Sequence, residues 1–156
     1  MTKKQYTAIH TSIGTVYIVS EQNRITHITT TPPPITAVRR DTSPLLTQSA
    51  EAVQQFLSGT QHHLRLTVKD RFLPFQQQIF SRVQQIPYGH TISSTELAAA
   101  IGKPHALRAV ETVCRTNPLL IAVPCHRVIL SDVSCNANTS HLSCDEALRR
   151  LEKRYR

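Results

Sequence analysis

Three consecutive prolines, Pro32-Pro33-Pro34, place the strongest constraint on how this chain can fold. Each fixes its φ and lacks a backbone donor, so neither a helix nor a central strand can run through them. The apolar pattern differs on the two sides. Before the prolines, Tyr6 to His10, Thr15 to Ser20 and Arg24 to Thr31 are rich in Ile, Val, Tyr and Thr, with Gly14 and Gln22-Asn23 as turns. That predicts a three-stranded antiparallel meander. After them, Ser43-Pro44 reads as a helix start, and Leu46, Ala50, Val53 and Leu57 keep helical spacing up to Gly59. Leu64, Leu66 and Val68 alternate and predict one more strand. Nothing in this half gathers reactive side chains, and its expected role is scaffolding.

The second half is helical. Phe72, Phe75, Ile79, Val83 and Ile86 step by three and four, predicting a helix from Pro74 to Gln85. Pro87-Tyr88-Gly89 is a turn. Ser93 and Glu96 have the spacing of a capping box for a helix from Ser94 to Ala100, closed by Gly102. Pro104 opens another helix with Ala106, Ala109, Val110 and Val113, ending before Asn117-Pro118. Two helices joined by a tight glycine turn read as a helix-turn-helix whose second member enters a DNA groove, or as an ordinary helical hairpin. Leu119 to Val123 is an apolar run expected as a strand, and Ser131 to Ser140 a polar loop. Ser143 with Glu146 suggests a further capped helix, whose apolar stripe is Leu148, Leu151 and Tyr155 with Glu152 beside it. Its basic cluster, Arg149, Arg150, Lys153, Arg154 and Arg156, is a solvated helix end or a phosphate contact. The expectation is an α+β chain of two domains, a scaffold over 1–69 and a helical domain over 70–156.

The 156 residues carry a formal charge of +8, spread over both halves, which favours a polyanionic partner such as nucleic acid. The absence of Trp argues against a stacking platform for single strands. No apolar run has the length of a membrane span. Met1 to Tyr6 lacks the apolar segment of a secretory signal, so an intracellular location is expected. Four cysteines, Cys114, Cys125, Cys135 and Cys144, are then expected as free thiols. Cys135, His141 and Cys144 lie close in sequence, but no spaced second pair completes a zinc site, and no metal is expected.

The chemistry points to Pro124-Cys125-His126-Arg127-Val128-Ile129. Only a thiolate is a strong cysteine nucleophile, and a neighbouring base held by a third group is the usual way to make one. A buried structural cysteine beside a surface histidine is the bland alternative. Ile86-Pro87-Tyr88-Gly89, Thr91-Ile92-Ser93, Glu96-Leu97-Ala98, Ile101-Gly102-Lys103-Pro104, Arg108-Ala109-Val110, Asn117-Pro118 and Pro124 to Ile129 together resemble the O6-alkylguanine-DNA alkyltransferases. The resemblance is dense over the second half and covers the first half only in outline.

That resemblance implies a ribonuclease-H-like first domain and a helical second domain with a winged-helix-like helix-turn-helix. It implies direct-reversal repair of double-stranded DNA containing O6-alkylguanine, by a monomer without a cofactor, in the cytoplasm at the nucleoid or in the nucleus. Cys125 would be the nucleophile, open to a flipped-out base. His126 would take its proton through a water, Glu152 would orient His126, and Asn117 would be the hinge. Arg108 would fill the gap left by the flipped base, with Ser94, Ala109, Thr112 and Arg127 also on DNA. Pro124, Val128, Asn138 and Thr139 would line the pocket, and the carbonyls of Cys125 and Val128 would read the base's exocyclic amine.

Three departures from the family pattern stand out. Ser94 occupies a tyrosine position. Glu111 and Thr112 replace small residues, and a carboxylate at 111 facing phosphates would weaken DNA binding unless it turned aside or paired with Arg115. On that reading, Glu111→Gly tightens DNA binding and Ser94→Tyr speeds repair. The loop Ser134 to Ser140 has no glycine. An active alkyltransferase, a binding-only relative of the alkyltransferase-like type and a regulatory DNA-binding module therefore all stand as readings. Cys125 with its expected partners favours the first.

Overall fold

The computed structural model describes residues 4–30, 38–40, 43–62, 64, 66, 68, 72–130 and 139–155, with backbone alone at 38–40 and 139–145. Two compact units emerge, one of residues 1–70 with Pro118–Ala122, the other of residues 71–117 with 123–156.

In the first unit, β1 (Lys4–Thr11), β2 (Gly14–Glu21) and β3 (Arg24–Thr29) form the expected meander. β4 (Val38–Arg40) adds a parallel edge beside β1, so the sheet order is β3-β2-β1-β4. Gln22 and Asn23 both adopt positive φ, 53° and 60°. That backbone matches the right-handed twist of a two-residue hairpin, and asparagine tolerates it well. Helix α1 (Pro44–Leu57) starts where Ser43 Oγ accepts from the Leu46 N–H. It buries Leu46, Val53, Phe56 and Leu57, while the sheet buries Val16, Ile18, Ile25 and Ile28.

Of the strand expected at Leu64, Leu66 and Val68, the described residues show Val68 bridged in parallel to Ile25, and the positions between lie outside them. Leu119 to Val123 is a tight strap rather than a strand. Ile28 N–H donates to the Pro118 carbonyl at 2.8 Å and Leu120 N–H to the Ile28 carbonyl at 3.0 Å. There the pairing ends, because Ile121 takes φ 72°. Left-handed backbone is a strained state for a β-branched residue, and it breaks any ladder. Burial of Leu119, Leu120 and Ile121 holds it.

The second unit contains α2 (Pro74–Val83), β5 (Ile92–Ser93), α3 (Ser94–Ala100), α4 (Leu107–Arg115), a 3-10 turn (Cys125–Arg127), β6 (Val128–Ile129) and α5 (Thr139–Arg154). Gln76 Oε1 reaches back to the Leu73 N–H at 3.0 Å and closes the open end of α2. Ser93 Oγ accepts from Glu96 N–H at 3.1 Å and caps α3. Gly102, at φ 76°, ends α3 in the left-handed geometry glycine alone adopts freely. Short β5 and β6 pair in parallel, joining the start of α3 to the segment after Cys125. Ile79, Phe80, Val83, Ile86, Leu97, Val110, Val113 and Leu148 form the apolar interior. α5 starts at Thr139, so Ser143 lies inside the helix and is not its cap. Among the described residues, no helix is long and apolar enough to cross a membrane.

Candidate active site

The turn Cys125–Arg127 follows Pro124 directly, and its tightness comes from two backbone bonds. Cys125 N–H donates to the Val123 carbonyl at 2.7 Å and Arg127 N–H to the Pro124 carbonyl at 3.0 Å. Asn117 Nδ2 donates to the same Val123 carbonyl at 2.8 Å. A buried side-chain amide thus ties the end of α4 to the residue two before the cysteine. Asn117→Ala is expected to cost about 1 kcal/mol, the net worth of one lost hydrogen bond, because the Val123 carbonyl keeps the Cys125 N–H. Chemical denaturation of the two proteins measures it.

His126 and Glu152 meet in the interior, 1 % and 2 % exposed. His126 Nε2 is in direct hydrogen-bond contact with Glu152 Oε2. Gly89 N–H donates to Glu152 Oε1 at 2.9 Å, from the Pro87-Tyr88-Gly89 turn. Arg127 Nε donates to both carboxylate oxygens, at 2.8 and 3.2 Å, and its Nη1 to the Ile86 carbonyl at 2.7 Å. From α5, Arg149 Nη1 donates to the His126 carbonyl at 3.0 Å.

This arrangement sets the protonation states. Burial is the strongest influence on His126 and pulls its pKa below the ordinary histidine value, helped by Arg127 and Arg149 and opposed by the Glu152 bond. Burial alone would raise Glu152. The bond to His126, the Gly89 N–H and the Arg127 charge outweigh it, and the carboxyl sits below its ordinary range. At neutral pH the pair is therefore imidazole and carboxylate. The carboxylate only accepts, so Nε2 carries the proton and Nδ1 presents a lone pair. Nδ1 is buried with no protein partner among the described residues. A neutral imidazole with a free lone pair is a proton acceptor, one residue from a thiol.

A pH dependence follows with a definite sign. As pH falls below the ordinary histidine pKa, about 6.5, an unfolded His126 gains a proton before the folded one. Glu152 likewise takes a proton in the unfolded state first. Both depressed values remove stability on acidification and none on moderate alkalinisation. Any base role of His126 should fade over the same window, with a midpoint below 6.5, the ordinary histidine value. A pH series of the reaction rate alongside thermal melts checks both.

Several expected site residues lie elsewhere. Arg127, expected on DNA, is 4 % exposed and consumed by Glu152 and the Ile86 carbonyl. Ser94, also expected on DNA, is fully buried and donates to Glu111 Oε1 at 2.6 Å. Glu111 turns inward, 3 % exposed, with Arg115 Nη2 at 3.5 Å. The carboxylate does not face phosphates, so the reason for Glu111→Gly to tighten DNA binding disappears. Arg108, Ala109 and Thr112 do share the exposed face of α4. Pro124 and Val128 flank Cys125, and all three are buried, Cys125 at 5 % exposure. The thiol is more enclosed than an open nucleophile. The Cys125 carbonyl already accepts from Val128 N–H. Asn138 and the Thr139 side chain lie outside the described residues, as do the side chains of Cys135, His141 and Cys144. Among the described residues, no three His, Cys, Asp or Glu gather as a metal site.

Gly89, Arg149 and the inward role of Arg127 were not anticipated. The signal for Gly89 was the Pro-Tyr-Gly turn, since only a residue at φ 79° aims its N–H this way so easily.

An enclosed cysteine, a carboxylate-backed imidazole next to it in sequence and a helix pair that leaves Arg108, Ala109 and Thr112 exposed are the features to set beside known proteins. A family model described as "6-O-methylguanine DNA methyltransferase, DNA binding domain" matches residues 74–154. The constitutive methylated-DNA–protein-cysteine methyltransferase of Bacillus subtilis is 32 % identical over 131 residues, 80 % of this chain and 79 % of that protein. The crystal structure of Mycobacterium tuberculosis O6-methylguanine methyltransferase superposes with a TM-score of 0.83 at 28 % identity, covering 100 % of this chain and 95 % of that one. A second structure of the M. tuberculosis protein, in complex with DNA, gives 0.82 at 28 % identity, covering 97 % and 94 %. This chain belongs to the methylated-DNA–protein-cysteine methyltransferase family.

Proposed function

We propose that the protein repairs DNA by direct reversal, moving the alkyl group of O6-alkylguanine onto Cys125. The observation that carries this reading is the buried Cys125-His126-Glu152 arrangement, with a neutral imidazole whose lone pair meets no partner among the described residues. Cys125 loses its proton to His126 Nδ1 through a bridging water, and Glu152 stabilises the imidazolium that forms. The sulfur attacks the alkyl carbon. An S–C bond forms, the C–O6 bond breaks, and its electron pair returns to the purine, which takes a proton at N1. No step returns the thioether to a thiol, so each molecule acts once.

An alkyl group at O6 is out of reach inside a base stack, so the nucleotide must leave the duplex. Arg108, Ala109 and Thr112 on the exposed face of α4 are suited to meet DNA, with the long Arg108 side chain filling the space left behind. Net charge of +8 supplies the non-specific attraction to phosphates. The sheet order β3-β2-β1-β4 supports a ribonuclease-H-like scaffold for the first unit, and α3, α4 and the β5–β6 pair a winged-helix-like second unit. The protein works inside the cell as a monomer, with Pro124, Val128, Asn138 and Thr139 around the base and Asn117 as the hinge.

Intact-mass spectrometry after mixing the protein with a duplex containing O6-methylguanine tests the reading. One methyl addition, mapped to Cys125, is expected. Unaltered mass with DNA still bound would reassign the protein to damage recognition without transfer.

A further inference from the structure

Two residues that sequence comparison set apart as unrelated departures, Ser94 and Glu111, are hydrogen-bonded to each other. Ser94 Oγ donates to Glu111 Oε1 at 2.6 Å, across 17 positions of sequence, with Ser94 0 % and Glu111 3 % exposed. A carboxylate removed from water is costly, and a hydroxyl partner at that distance is among the stronger hydrogen bonds a neutral donor makes. Arg115, one turn further along α4, adds its Nη2 to the other carboxylate oxygen at 3.5 Å.

The geometry points to Glu111 as a positioning residue for DNA recognition, latching α4 to the first turn of α3 through Ser94. This rests on the reading above that the exposed face of α4 meets DNA. Glu111 faces inward from α4, while Arg108, Ala109 and Thr112 face outward. Rotating or sliding α4 would carry the outward face with it. Apolar contacts from Val110 and Val113 secure the helix against the interior, but they are non-directional and tolerate such movement. A single short polar bond between fixed atoms does not. It selects one register of α4 on α3, as buried polar pairs do where alternatives are close in energy. The pair takes no part in the reaction at Cys125, because the proton path there runs through His126 and Glu152.

Glu111→Met keeps the volume and drops the bond, while Glu111→Gln keeps an acceptor for Ser94. Three readouts separate the roles: affinity for a duplex, rate of thiol alkylation by free O6-benzylguanine base, and thermal stability. For Glu111→Met we expect duplex affinity to fall about tenfold, the range of one buried charge-assisted bond. Its reaction with the free base should stay near that of the parent, while its melting point falls, because the buried Ser94 hydroxyl loses its acceptor. Glu111→Gln should keep affinity within about threefold, in line with the smaller net worth of a neutral bond. Equal duplex affinity in Glu111→Met and the parent would overturn the latch. So would equal losses toward duplex and free base, which mark a role in the whole unit. If the parent protein neither binds duplex nor alkylates, the functional reading fails first, and the latch with it.

Discussion

Cys125→Ser should leave a folded protein that takes no alkyl group from DNA. The substitution is nearly isosteric in a site only 5 % exposed, so its effect on stability is expected to be small, about 1 kcal/mol. The chemical effect is large because a serine hydroxyl is far less acidic than a thiol. His126, held below the ordinary histidine pKa by burial, is too weak a base to ionise an alcohol. A loss on the order of a thousandfold or more follows, as when an enzyme's nucleophile is removed. Single-turnover mass spectrometry on O6-methylguanine duplex measures it, with circular dichroism as the control for folding. Methyl transfer at near-parental rate in the serine protein would remove Cys125 from its role. Cys125→Ala should behave the same way, with a slightly larger stability cost from the void.

Glu152→Gln should damage both rate and stability, for separable reasons. The carboxylate, 2 % exposed, takes donors from His126, from Gly89 at 2.9 Å and from Arg127 at 2.8 and 3.2 Å. An amide has one acceptor oxygen for these donors and turns its own N–H groups on the others. If the amide faces His126 with its N–H, the imidazole proton is driven to Nδ1, where the lone pair is needed. A wrong tautomer of this kind costs on the order of a hundred- to ten-thousandfold in rate. Arg127, 4 % exposed, meanwhile loses its counter-charge, and breaking a buried pair costs about 3–5 kcal/mol. Against a total of about 5–15 kcal/mol for an ordinary domain, that is a large share. Denaturant unfolding and single-turnover rates measure the two losses. Parental rate and unfolding midpoint in the Glu152→Gln protein would show that the carboxylate carries neither function.

How much of this was readable beforehand depended on whether local chemistry decided the outcome. The meander, α1, α2 and α3 were legible because strand alternation, Ser-Pro starts and glycine stops act over a few residues. Apolar periodicity misled at Leu119 to Val123, where the run is buried but Ile121 bends it out of any strand. The Cys-His-Glu grouping was readable only through family resemblance. Nothing local says that a glutamate 26 positions after a histidine will touch it. Arg127 and Ser94 were expected on DNA through the family resemblance alone. Each was instead claimed by a buried carboxylate, Glu152 or Glu111, and that choice is made by packing at long range.

The strap Pro118–Ala122 has a last consequence. Its backbone is bonded to β3, yet it lies in the chain between α4 and Cys125. A polypeptide of residues 71–156 would carry Leu119, Leu120 and Ile121 into water, with no strand edge to receive them. Neither half is a portable cassette. Swapping the first seventy residues for those of another protein would require a matching stitch at Ile28, where the strap takes its two backbone bonds.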